Sequence, residues 1–161
     1  MTKDILSEAA IAAMTRHALD MAAKSPAEEA VGLLINGEYV ACHNSAAEPD
    51  KGFRLEPEMI GKHRKGIEAI IHSHPGGPAC PSAHDMRQQQ ATGLPWIIMV
   101  TPVLGNRQIK QEWFSWDGAP RLDMTAGYRH GISDCYGLIR GWYHKEKGVV
   151  LPDYPREWEW W

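Results

Sequence analysis

Residues 67–93 read IEAIIHSHPGGPACPSAHDMRQQQATG, and the fold turns on how this stretch is divided. IEAIIHSH is an apolar run of strand length, halted by Pro75-Gly76-Gly77-Pro78, and reads as a buried strand. Beyond the loop, SAHDMRQQQATG predicts a helix that starts at the S-x-x-D capping pattern of Ser82 and Asp85. Downstream, PWIIMVTP (95–102) and QIKQEWFSW (108–116) read as two further strands. Upstream, VGLLI (31–35) and EYVACHN (38–44) flank Asn36-Gly37, a strong hairpin signal. A loop over 45–52 leads to FRLEPEMIGKHRKG, where Pro57 suits a first helical turn and Met59 and Ile60 are available to face inward. At the start, SEAAIAAMTRHALDMAAK (7–24) predicts a helix with Ser7 as N-cap, Ile11, Met14, Ala18 and Met21 on one face, and Pro26 as its stop. Helices and strands interleave around a tight hairpin. The expected fold class is α/β, a mixed and mostly antiparallel sheet flanked by helices, not a doubly wound parallel one.

Length and composition set the remaining bounds. The chain has 161 residues, 43% of them apolar, and a net charge of −3. That is about one domain, or one and a part, with enough apolar content for a core. No basic stripe supports nucleic-acid binding. No apolar run approaches the ~20 residues that span a bilayer. MTKDILSEAAIAAM carries acids where a signal peptide needs a basic flank, so a cytoplasmic protein is expected. The three cysteines, Cys42, Cys80 and Cys135, are too few for a disulfide framework. No G-x-G-x-x-G or P-loop pattern occurs.

His72 and His74 stand two apart on a predicted strand, so both imidazoles leave the same face, next to a Pro-Gly loop. Asp85 follows eleven positions after His74, in the first turn of the next helix, within reach of a loop of that length. Two imidazoles and a carboxylate leave one place of a tetrahedral zinc open to water, whose pKa the metal lowers to about 7. Each element also has a plainer use. H-x-H is often a surface pair, and Ser82 and Asp85 cap a helix, which Asp85 reconciles with metal binding only if its carboxylate turns to the metal. His84 lies ~100° round the helix from Asp85 and is expected in solvent or behind the ligands. Cys80 is an alternative soft ligand in the same loop.

The combination H-S-H-P, six residues, then S-x-x-D resembles the JAMM motif of the MPN+ (Mov34/MPN/PAD-1) metalloproteases. That family carries an upstream E-x-x-G, supplied here by Glu29-Ala30-Val31-Gly32. The resemblance covers roughly residues 5–116 and implies a cytidine-deaminase-like sheet with zinc as cofactor. It implies His72, His74 and Asp85 as metal ligands, Glu29 as general base and proton shuttle, and Ser82 as donor to the oxyanion. Glu28 adjoins Glu29 but would face the other side of a strand. The implied substrate is a peptide or isopeptide bond.

Residues 117–127, DGAPRLDMTAG, read as a linker, and 128–161 begin something different. Ser133-Asp134-Cys135-Tyr136-Gly137-Leu138-Ile139 resembles the nucleophile motif of NlpC/P60 cysteine peptidases, with Cys135 opening a helix and Leu138, Ile139 and Trp142 spaced to pack it. A buried structural cysteine competes with this reading. His144 lies nine residues on, ~13 Å along the same helix and on its opposite face, so it cannot pair with Cys135. His130 precedes the cysteine too closely to be the usual partner. About forty residues are few for an independent core. The expectation is therefore an incomplete second domain, with the natural chain continuing past the Trp-rich PREWEWW. The order of a JAMM domain and then an NlpC/P60 domain resembles the tail assembly protein K family of lambda-like bacteriophages. That resemblance implies phage tail proteins as partners, peptidoglycan peptides or a tail protein as substrate, and the host cytoplasm or the virion tail as location. The competing function is structural, with zinc mainly holding the fold. A structural zinc has no use for a base at Glu29.

Overall fold

The computed structural model describes residues 6–106, 108–123, 125 and 127–158. The last three residues of the Trp-rich end, and positions 124 and 126 of the expected linker, lie outside them. The chain forms two compact units, one of residues 1–78 and 95–115, the other of residues 79–94 and 116–161.

The first unit opens with α1 (Glu8–Ala22), capped by Ser7, whose Oγ accepts from the Ala10 amide at 3.1 Å. The hairpin follows as β1 (Val31–Ile35) and β2 (Glu38–Cys42). Asn36 and Gly37 take φ of 50° and 78° between them, the positive values that a two-residue turn of right-handed strands demands. After α2 (Pro57–His63) come β3 (Ile67–Pro75), β4 (Trp96–Thr101) and β5 (Glu112–Trp116). The sheet order is β2-β1-β3-β4-β5, with β1 antiparallel to both β2 and β3, and β3 parallel to β4. The mixed α/β sheet flanked by helices is thus the observed architecture.

Register assigns the two faces. Val31 lies opposite His72, His72 opposite Ile98, and His74 opposite Val100, and these share one face. Leu34 with Ala69, and Ile71 with Ile97, share the other. Ala10, Met14 and Ala18 of α1 close over this second face, with Leu34, Ala69, Ile71, Ile97 and Met99, to form the core. Both imidazoles therefore leave the face that α1 does not cover.

Gly32 of the E-x-x-G lies on the core face. A Cβ there would stand 2.4 Å from Tyr39 Cε2, so only glycine admits the ring. The Tyr39 hydroxyl meets His17 Nδ1 at 2.7 Å, and burial pushes its pKa up. One expectation fails in this unit: α2 buries no residue, leaving Met59 half-buried and Ile60 exposed. Glu58, Lys62 and His63 crowd its two turns, so a fully inward face would desolvate charge.

In the second unit, α3 (Ala83–Thr92) ends at Gly93 in the left-handed region, φ 63°. The last helix is α4 (Cys135–Lys147), capped by Asp134. Asp134 accepts from the Gly137 and Gly131 amides, each at 2.8 Å, and from Arg156 Nε at 2.7 Å. Burial alone would raise its pKa, but these bonds outweigh burial and hold it low. Arg140 bonds the carbonyls of Gly118 and Leu151 and pairs with Asp153 at 3.2 Å. Here too the expected packing is corrected. The buried side of α4 is Gly137, Arg140 and Gly141, while Leu138, Ile139 and Trp142 are exposed. The satisfied guanidinium draws its own side of the helix inward. The apolar side instead lines a cavity of about 380 Å³ with Leu122 and Tyr143.

Candidate metal centre

His72 and His74 stand near the C-terminal end of β3 and are both buried. Period-two alternation aims them alike, and their Nε2 atoms lie 3.2 Å apart. Two nitrogens bound at about 2.0–2.1 Å to one tetrahedral ion stand about 3.3 Å apart, so the pair already has ligand spacing. His74 Nδ1 is 2.9 Å from the Pro78 carbonyl oxygen. A carbonyl only accepts, so Nδ1 is the donor there, and in the neutral ring Nε2 is then the nitrogen with the lone pair. The His72 ring is held by aromatic neighbours, Phe53 at 4.6 Å and Trp96 at 5.5 Å between centroids.

Asp85 completes the group. One ligand atom from each of His72, His74 and Asp85 lies within 4.8 Å of the others, and all three residues are buried. Asp85 also keeps its helical duty: its Oδ2 accepts from the Ser82 amide at 2.8 Å and the Ser82 hydroxyl at 2.7 Å, and its amide donates to Ser82 Oγ at 3.0 Å. Capping and membership of the group coexist in one carboxylate. Two imidazole nitrogens and a carboxylate oxygen suit a divalent metal ion, which makes this a possible metal-binding group.

The neighbours fall out as follows. His84 is exposed on α3. Cys80 is half-buried and outside the three-residue group. Burial, aided by Asp85 and opposed by Arg129, pushes its thiol pKa up, which disfavours the thiolate a metal needs. Ser82 caps α3, its hydroxyl committed to Asp85. Glu29 is not a member of the group; it is half-buried and lies two residues before the start of β1. The β1–β3 pairing begins with Val31 opposite His72, two residues after Glu29, and the Ala30 carbonyl accepts from the Ser73 amide at 2.9 Å. Glu28 instead pairs with Lys24 at 2.7 Å.

Cys135 is the exposed first residue of α4, and His144 sits in the last turn of the same helix. A cavity of about 270 Å³ beside Cys135 is lined by Arg121, Asp123, Tyr128, Ser133 and Leu138 among others. His130 Nε2 meets the Glu157 carbonyl at 2.9 Å. Sequence reasoning missed the residues that shape the centre from a distance: Phe53, Trp96 and the Pro78 carbonyl. A lone aromatic in a loop carries no periodic signal. Trp96 could be found, because it opens the apolar strand β4.

Comparison with known proteins bears on the same residues. The family model for prokaryotic homologs of the JAB domain matches residues 11–117. A protein named "Tail tip assembly protein K" from Escherichia phage N15 is 34% identical over 128 residues, covering 76% of this chain and 49% of that protein. Its namesake from Escherichia phage lambda is 35% identical over 107 residues, covering 66% of this chain and 46% of that protein. The chain thus spans about half the length of the curated relatives it matches. A solution structure of a Desulfitobacterium hafniense protein superposes with a TM-score of 0.47 at 24% identity, over 68% of this chain and 80% of that one. With the sheet, the paired imidazoles and a match across residues 11–117, this chain belongs to the family of prokaryotic homologs of the JAB domain.

Proposed function

We propose that the chain is a zinc metallopeptidase that hydrolyses a peptide or isopeptide bond during the assembly or action of a phage tail. The observation that carries this reading is the 3.2 Å pair of imidazole nitrogens with Asp85 beside it, in a chain of the JAB family. His72, His74 and Asp85 hold the ion. Bound zinc supplies a Lewis acid that acidifies water and polarises the scissile carbonyl. Glu29 takes the proton of the attacking water and hands it to the amide nitrogen, a poor leaving group until protonated. Ser82 turns its hydroxyl from Asp85 to the developing oxyanion. The substrate is a peptidoglycan peptide or a tail protein, met in the host cytoplasm or at the virion tail. The relatives' names favour tail proteins as partners.

Those same names favour a second reading, an assembly protein in which the metal mainly holds the fold. Metal analysis of the purified chain, with an amide-cleavage screen that includes cell-wall peptides, separates the two. One equivalent of zinc and cleavage that a chelator abolishes are expected; zinc without cleavage of any substrate selects the second reading. Residues 128–161 are proposed as the start of an NlpC/P60 domain with Cys135 as its nucleophile in a longer chain. His144 lies nine residues along the same helix, on its opposite face, and cannot pair with Cys135, so blocking this thiol is expected to leave cleavage unchanged.

A further inference from the structure

We propose that Asn44 and Ser73 are positioning residues for Glu29, clamping the two ends of the peptide group that follows it so that its side chain is held in place just before β1. The functional consequence rests on the peptidase reading above. The four backbone groups from the Glu29 N–H to the Ala30 carbonyl are each tied to another part of the sheet unit. Its N–H donates to the Pro49 carbonyl at 2.8 Å. Its carbonyl accepts from Asn44 Nδ2 at 3.0 Å. The next amide, that of Ala30, donates to Ser73 Oγ at 2.8 Å, and the Ala30 carbonyl accepts from the Ser73 amide at 2.9 Å.

Asn44 is a buried hub. Nδ2 also donates to the Gly52 carbonyl at 3.0 Å, while Oδ1 accepts from the Ala46 and Arg54 amides, each at 3.1 Å. Two carbonyls on one atom and two amides on the other fix which end is nitrogen, and all four bonding sites are used. One side chain thus joins Glu29 to the loop that carries Phe53, the ring against His72. Ser73 is fully buried between the two histidines and faces the other way. Its hydroxyl takes the Ala30 amide, so the ladder between β1 and β3 reaches one residue closer to Glu29. A base must sit within hydrogen-bond reach of its proton, and small displacements of positioned groups cost rate far more than they cost folding.

The test uses three variants of the whole chain. Asn44→Asp keeps the acceptor for Ala46 and Arg54 but replaces the donor on Glu29. Ser73→Ala removes the hydroxyl, and Ser73→Thr keeps it. Zinc content, kcat, KM and amide hydrogen exchange at Ala30 are measured, each also in a Glu29→Gln background. Ser73→Ala is expected to speed Ala30 exchange at least tenfold, and Ser73→Thr to hold it. Asn44→Asp and Ser73→Ala are expected to lower kcat about tenfold or more. KM and zinc content should stay within twofold, with no further loss beside Glu29→Gln. Losses that add in full to Glu29→Gln, or parental exchange at Ala30 in Ser73→Ala, overturn the proposal. If Asn44→Asp fails to fold, the Ser73 pair decides alone. A parent that binds zinc and cleaves nothing sinks the peptidase reading, and exchange at Ala30 then decides the clamp by itself.

Discussion

In the sheet unit, two buried imidazoles on β3 point the same kind of nitrogen at each other. In the second unit, buried Asp134 faces Arg156 at 2.7 Å, and buried Arg140 faces Asp153 at 3.2 Å. The first arrangement sets two like groups within hydrogen-bond distance of one another. The second matches each charge with its opposite and with backbone partners. Convergence of like ligand atoms suits an ion, whereas complementary pairing is how the second unit holds its irregular segments. Buried polarity has two distinct signatures here, and the partner's identity tells them apart.

The largest expected effect falls on the sheet unit. Glu29→Gln should lower turnover by about a thousandfold, the scale of a lost general base, while zinc content and melting temperature stay at parental values. A variant that cleaves as well as the parent would place the polar residues of this unit with architecture, not chemistry. Next comes Arg156→Ala, which leaves Asp134 buried beside fewer partners and should cost about 3–5 kcal/mol in denaturant unfolding without altering zinc content. Stability within about 1 kcal/mol of the parent would deny the paired charges their structural role. Third, Gly32→Ala pushes a methyl into the Tyr39 ring and should destabilise by about 1–3 kcal/mol. A neutral result would mean the ring moves freely aside.

The smallest effect is a pH dependence confined to the second unit. Asp134 is held below its ordinary value, so its contribution is fully present above the unfolded carboxylate value of about 3.9 and fades as pH falls through its own lower one. Asp153 is held above, chiefly by burial, with Arg140 and Arg156 opposing. Its protonated form is favoured, so that contribution is present below about pH 3.9 and is lost as pH rises through the raised value. Urea midpoints between pH 3 and 7 should therefore change slope in opposite senses for Asp134→Asn and Asp153→Asn. Parallel changes would show that the two carboxylates are not held as described.

The hairpin and the paired histidines of the sheet unit, and the α3 cap of the second unit, are legible in sequence because their signals are local. Asn36-Gly37, the S-x-x-D of Ser82 and Asp85, and the alternation of His72 and His74 each act within a few residues. Residues whose roles depend on distant backbone left no such mark. Asn44 works through Glu29, Gly52 and Arg54, and Phe53 through a ring on another strand. In α4 the apolar residues suggested a packed face, but Arg140, with three carbonyl or carboxylate partners remote in sequence, turned the helix the other way. Hydrophobic spacing predicts which side could be buried, not which side finds partners.

Asp85 closes the first turn of α3 and belongs to the three-residue group with the same carboxylate. Removing this carboxylate therefore takes away a helix cap and a member of the group at once. For the experimenter, an alanine at Asp85 confounds two losses, so histidine variants are the cleaner controls.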